Sequence, residues 1–149
     1  MRQSEHGVTL TELMIVVTLA ALLASVGFPA FRGYVERARV VRAVSDIGLL
    51  SLQLYRWQQA NRTFPQTLAQ AGLAPGIDPW GNPYRYLEIS TARIGQVRRD
   101  RNLRPINSDF DLYSMGPDGE TQTQLNGAKA RDDIVRANDG AYIGIADNY

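Results

Sequence analysis

From Leu13 to Phe31 the chain has nineteen consecutive residues without a charged side chain, LMIVVTLAALLASVGFPAF. As a helix rising about 1.5 Å per residue, such a run spans roughly 28 Å, close to the hydrocarbon thickness of a bilayer. A secretory signal core is about 7–15 residues long and ends in small residues. This run is longer and ends in Gly27-Phe28-Pro29-Ala30-Phe31, with rings where a cleavage site would place small side chains. A helix apolar on every side would also be out of place as the core of so small a chain. Membrane insertion is therefore expected, and it dictates that the remaining residues form one modest domain.

Glu12 stands at the edge of this run, inside an apolar segment that begins at Val8. A carboxylate at the centre of a bilayer costs about 2.5–3.5 kcal/mol on insertion scales, and less near the interface. Two readings stay open on these grounds. Glu12 lies at headgroup depth, or it acquires a cationic partner. No Lys or Arg lies close in sequence, but a cut after Gly7 would make the amine of Val8 such a cation. Pro29 lacks an amide donor, so a kink or local melting of the helix is expected there.

The chain has no cysteine, which removes disulfides, thiolate metal sites and a cysteine nucleophile. The single histidine, His6, precedes the apolar run, so imidazole triads and histidine metal clusters are absent from the domain beyond it. Catalytic residues are not identified, and the reading is non-enzymatic. Net charge is +1, yet it is unevenly spread. Arg32 to Arg104 holds twelve basic and five acidic residues, whereas Pro105 to Tyr149 holds three basic and eight acidic. Arg93, Arg98, Arg99, Arg101 and Arg104 cluster without interleaved aromatics. They read as a solvated loop, or as a surface meeting the acidic end of a neighbouring subunit, and not as a nucleic-acid site.

Beyond Phe31 helical spacing continues through Val41, Val44, Gly48, Leu52 and Tyr55, which predicts one helix to about Gln59 with an amphipathic outer half. A short helix over Gln66 to Ala71 should stop at Gly72. DPWGNPYRY (Asp78–Tyr86) predicts a rigid turn running into a strand from Tyr84. Asp109 to Met115 predicts a second strand, closed by the turn Gly116-Pro117-Asp118-Gly119. Asp132–Val135 and Ala141–Ile145 are candidates for further short strands.

The stretch Gly7-Val8-Thr9-Leu10-Thr11-Glu12-Leu13, followed by the apolar run, resembles the processing signal of type IV pilins and type II secretion pseudopilins. DPWGNPYRY and DFDLYSMGPDG are similar to two landmark segments of the G-type major pseudopilin. The resemblance implies an α+β, type IV pilin-like fold, a long N-terminal helix packed on a small antiparallel sheet. It divides the chain into a cleaved leader (1–7), a membrane and filament-core helix (8–31), its amphipathic continuation (32–60) and a periplasmic domain (61–149). Cleavage by a prepilin peptidase after Gly7 and N-methylation of Val8 are implied, although the family usually begins its mature chain with Phe or Met. Glu12 would then neutralise the Val8 amine of a neighbouring subunit, and Pro29 would shape filament packing.

Lysines and arginines near the membrane, counted alone, would put the C-terminal domain in the cytoplasm. The resemblance implies the reverse, with the leader inside and the domain in the periplasm of a single-pass inner-membrane protein. Implied partners are other copies in a homopolymeric pseudopilus, minor pseudopilins and the inner-membrane secretion platform. The implied function is protein export through polymerisation. Adhesion, motility or DNA uptake by a type IV pilin is the alternative, and a monomeric membrane-anchored binding domain or enzyme is a rival of another class.

The resemblance also implies calcium, held by the carbonyl of Met115, the side chain of Asp118 and the pair Asp132-Asp133. Hard oxygen donors suit that ion. The intervening loop, Glu120 to Arg131, is longer than the family's. A second expectation is therefore that protein contacts, from Lys129 or Arg131, replace the metal.

Overall fold

The computed structural model describes residues 8–93 and 95–149. One helix, α1, runs over Leu10–Asn61 and is followed by four short strands: β1 Arg85–Glu88, β2 Phe110–Ser114, β3 Ile134–Ala137 and β4 Tyr142–Ile145. Strands pair in chain order, β1-β2-β3-β4, and every pair is antiparallel. The α+β architecture read from the sequence is the one observed. By internal contacts the chain divides between Arg37 and Ala38, so the outer part of α1 belongs with the sheet.

In the first unit the large apolar side chains of α1, among them Leu13, Leu19, Leu23, Phe28 and Phe31, are exposed. The helix is long and apolar enough to cross a membrane. It passes through Pro29 without a break, so the local melting expected there does not occur. The ring removes one i→i−4 bond, and the helical turns on either side remain formed.

In the second unit α1 presents Ala43, Ile47 and Leu54 to the sheet, each fully buried, with Val40, Val44, Leu50 and Tyr55 partly buried around them. The expected inner face was misjudged in part. Val41 is 68% exposed and Leu52 49% exposed, and both point away from the core. This helix carries apolar residues on two faces, and the small Ala43 and Ser51 mark the one that the sheet approaches. Opposite them Phe110, Leu112 and Ile134 complete the core with Leu68 and Tyr84. Phe64, Tyr55 and Tyr86 surround Phe110 with ring centroids 5.1–5.8 Å apart, within the range where edge-to-face pairs are favourable.

The other face of the sheet is covered too. Ile106, Leu125, Val135, Ala137 and Ala146 form a second buried cluster, flanked by Tyr113 and Tyr142. Alternation along β3 divides its side chains accordingly: Ile134 toward the helix, Val135 and Ala137 toward the loops. The predicted third strand begins two residues later than expected, at Ile134 rather than Asp132, because Asp132 and Asp133 serve the preceding loop. The expected helix over Gln66–Ala71 shrinks to a 3₁₀ turn at Ala69–Ala71. Gly72 ends it in the left-handed conformation, φ 69°. The last fifteen residues supply β4, which pairs with β3 from Ile134↔Ile145 to Ala137↔Tyr142.

One buried arginine ties these layers together. Arg136, on β3, is 1% exposed. It donates to both carboxylate oxygens of Asp109, at 2.8 and 2.7 Å, and to the carbonyl of Phe110 at 3.1 Å. Its Nη2 also donates to the Tyr55 hydroxyl of α1 at 2.6 Å, and that hydroxyl donates to Asp109 at 2.9 Å. The guanidinium lies over the Phe110 ring, 4.0 Å from its centroid. Helix, β2 and β3 thus meet at one charged group that is paired, hydrogen-bonded and stacked.

Burial pushes the Asp109 carboxyl up, but Arg136, the Phe110 N–H and Tyr55 outweigh it and hold the group below its ordinary value. A carboxyl held low stabilises the fold in its ionised form. That contribution is complete above the unfolded value of about 3.9 and is lost as pH falls through the lower native value. Arg136→Met should therefore destabilise the chain by about 3–5 kcal/mol at neutral pH. The difference from wild type should shrink below about pH 4. Thermal melts at pH 7, 5 and 3 check this; a difference constant across that range would contradict it.

Candidate functional site

Two places on the chain carry the expected site residues. The first is the start of α1. Gly7 lies outside the described residues; Val8 is the first described residue and is exposed. Thr9 and Glu12 form a reciprocal cap. The Thr9 N–H and hydroxyl donate to Glu12 Oε2 at 2.8 and 2.7 Å, and the Glu12 N–H donates to Thr9 Oγ1 at 3.2 Å. This is the capping box of Thr-x-x-Glu, which satisfies otherwise orphaned donors at a helix start. The sequence reading missed Thr9, although the Thr9-to-Glu12 spacing carries the signal. Because the cap uses the N–H of Thr9, a cut after Gly7 leaves its donors intact.

The second place is the aspartate-bearing loop between β2 and β3, held by the two landmark segments. Asp78 Oδ1 accepts the N–H groups of Trp80 and Asn82 at 3.0 and 2.8 Å, which shapes the DPWGNP turn. Asp78 Oδ2 accepts the Ser114 hydroxyl at 2.5 Å, and the Asn82 amide donates to the Gly116 carbonyl at 3.1 Å. The two landmarks are therefore one hydrogen-bonded structure. Gly116 has φ 65°, and a Cβ there would lie 2.5 Å from the carbonyl oxygen of Asp132. Only glycine lets the turn approach Asp132 this closely.

The four expected calcium positions each have an identified place. Met115 is buried and Asp118 exposed. Asp118 Oδ1 accepts the Glu120 N–H at 2.8 Å, while Asp132 Oδ2 accepts the Asp118 N–H at 3.3 Å. Asp133 is fully buried and paired with Arg98, and its Oδ2 also accepts the Thr121 hydroxyl at 2.6 Å. Burial pushes the Asp133 carboxyl up to about 6, against the pull of Arg98 and Thr121. Its Oδ1 is buried without a hydrogen-bond partner, on a carboxylate that Arg98 already neutralises.

Among the described residues no three acidic or histidine side chains are grouped to hold a metal ion. Calcium takes about six to eight oxygen ligands. With Asp133 paired to Arg98 and one oxygen each of Asp118 and Asp132 taken by a backbone N–H, the residues present do not fit it.

Lys129, one of the two expected replacements, pairs with Glu120 at 2.9 Å rather than with an aspartate. The cation that reaches Asp133 comes from the arginine cluster read as solvated. Arg93, Arg101 and Arg104 are exposed, but Arg98 is 2% exposed. Sequence alone gave little sign of this, because thirty-five positions separate Arg98 from its carboxylate.

A long helix, apolar in its first part and beginning at a capped carboxylate, with a four-stranded antiparallel meander packed on its outer part, is the type IV pilin-like α+β fold, and that fold gives the class of protein. The Prokaryotic N-terminal methylation motif matches residues 2–28. The type II secretion system core protein G of Aeromonas hydrophila is 30% identical over 145 residues, covering 82% of this chain and 90% of the relative. That of Pseudomonas aeruginosa is 29% identical over 142 residues, covering 80% and 88%. A fimbrial protein of Neisseria meningitidis is 24% identical over 150 residues, covering 99% and 88%. No solved structure matches. The chain belongs to the family of type II secretion system core protein G.

Gly116→Ala should push Asp132 off the turn and destabilise the domain by more than about 1 kcal/mol. Urea unfolding measures it, and wild-type stability in that variant would contradict the close approach.

Proposed function

We propose that this chain is the structural subunit of a type II secretion pseudopilus, a homopolymer that grows from the bacterial inner membrane and moves proteins outward. The observation that carries the reading is the exposed apolar first part of α1 with Glu12 at its start. A helix exposed on all sides needs lipid before assembly and neighbouring helices after it. Cleavage after Gly7 by a prepilin peptidase would free the Val8 amine, and methylation would leave it a cation. Glu12 of one subunit would meet that amine on the next. In low dielectric a paired carboxylate is penalised far less than an unpaired one, so the contact favours one axial register.

The domain from Ala38 onward would stand in the periplasm, anchored by a single membrane pass. Val41, Leu49 and Leu52, exposed on the outer part of α1, offer apolar surface for packing between subunits. Minor pseudopilins and an inner-membrane platform are the partners such a filament would use. The similarity to a fimbrial protein supports a second reading, a type IV pilin, at lower identity.

Replacement of the chromosomal copy by Gly7→Ala should leave an uncleaved precursor in the inner membrane and stop secretion of exoproteins. Glu12→Val should be cleaved normally, yet assemble poorly with wild-type neighbours. Normal cleavage of the first variant would sink the processing site, and full filament yield from the second would make the Glu12 contact dispensable. Secretion intact in a deletion strain that has lost a surface fibre would favour the pilin.

A further inference from the structure

The loop between β2 and β3 carries Asp118, Asp132 and Asp133, and a side chain rather than an open space faces the deepest of them. We propose that the guanidinium of Arg98 is the resident cation of this loop and holds it closed without a metal. Arg98 Nη2 contacts both Asp133 Oδ2 and Thr121 Oγ1, and Thr121 in turn donates to Asp133, so the three side chains form a closed ring. Both charged groups are almost completely withdrawn from water, with side chains 3% and 0% exposed. A buried charge that loses its partner is strongly unfavourable. Moving Asp133 onto a divalent ion would do that to Arg98, and would add a second cation beside it.

Arg98 cannot simply swing away. Its N–H donates to Asp111 Oδ2 at 2.7 Å, and its carbonyl accepts the Ile106 N–H at 3.0 Å. Its guanidinium lies over the Tyr113 ring, 3.7 Å from the centroid. The next residue bridges to Gln124 in the same loop: the Arg99 N–H donates to the Thr123 carbonyl at 2.8 Å, and the Arg99 carbonyl accepts the Leu125 N–H at 3.0 Å. The segment that delivers the cation is thus hydrogen-bonded to the loop it closes. The other acids are also served from within the chain: Asp132 by the Asp118 N–H, Glu120 by Lys129. One monovalent guanidinium neutralises the one fully buried carboxylate of this loop. A subunit closed this way keeps its loop at any calcium concentration outside the membrane. This does not depend on which filament the chain builds.

The test is thermal melting of the mature full-length chain in detergent, followed by circular dichroism, in millimolar calcium chloride and in chelator. A calcium site would raise the melting temperature by mass action; the same temperature in both is expected. Arg98→Met should lower the melting temperature by about 10 °C or more. Adding Asp133→Asn to that variant should recover part of the loss, because the orphaned carboxylate is then uncharged. A wild-type melting temperature that rises with calcium, or Arg98→Met melting like wild type, would overturn the proposal. Should Arg98→Met fail to fold, Arg98→Lys, which keeps the charge but loses the planar stack on Tyr113, should fold and melt below wild type with no response to calcium. A calcium-dependent Arg98→Lys would count against it.

Discussion

The bidentate pair of Arg136 and Asp109, with Tyr55 reaching it from the helix, is the contact on which the domain's layering depends. A four-stranded sheet of four- and five-residue strands has little hydrogen bonding of its own, and a short meander is not stable by itself. The sheet needs a helix on one face, and Arg136 supplies a fixed point where α1, β2 and β3 converge. Because the guanidinium is buried over Phe110, it also fixes how the sheet's central ring meets the helix. A charged group in that place sets the packing arrangement more sharply than an apolar side chain would, since few alternative arrangements bring partners to both of its terminal nitrogens.

The opposite face repeats the principle with different parts. Loops replace a second helix, and Arg98 lies over Tyr113 with its charge paired to Asp133. The two arginines sit on opposite sides of β2, whose Phe110 and Tyr113 rings they cover. In this way a sheet without a second layer of regular structure is buried on both faces. The DPWGNP turn contributes from one end, through Asp78 to Ser114 and Asn82 to Gly116.

The long helix was legible because an uninterrupted apolar run has few physical interpretations. Four strands were legible as alternating or β-branched segments between glycine, proline and asparagine. The buried face of the outer helix was only partly legible: Val40 and Val44 face the sheet, but Val41 and Leu52 fit the same spacing and face outward. Periodicity does not choose between two apolar faces; the partner does. The burial of Arg98 and Arg136 was not legible, because their carboxylates arrive from distant positions and a charged residue in a loop or strand ordinarily reads as solvated. Thr9 was legible and overlooked. The aspartates were read through a family resemblance that implied calcium, while the structure turns them to Arg98 and to backbone donors.

At the other end, the proposed role rests on the first part of α1, whose large apolar side chains are exposed. The first turn holds a carboxylate already bonded to Thr9. A bilayer first, and like helices afterwards, satisfy both features. In the proposed account, exchanging one for the other depends on removal of the leader, because a cut after Gly7 would give Val8 a charge for Glu12 to meet. Mass spectrometry of the N-terminus of the protein extracted from bacterial membranes tests this most directly. The account predicts a mature chain beginning at Val8 with a methylated amine. A membrane-embedded chain still carrying residues 1–7 in assembled, secretion-competent cells would contradict it.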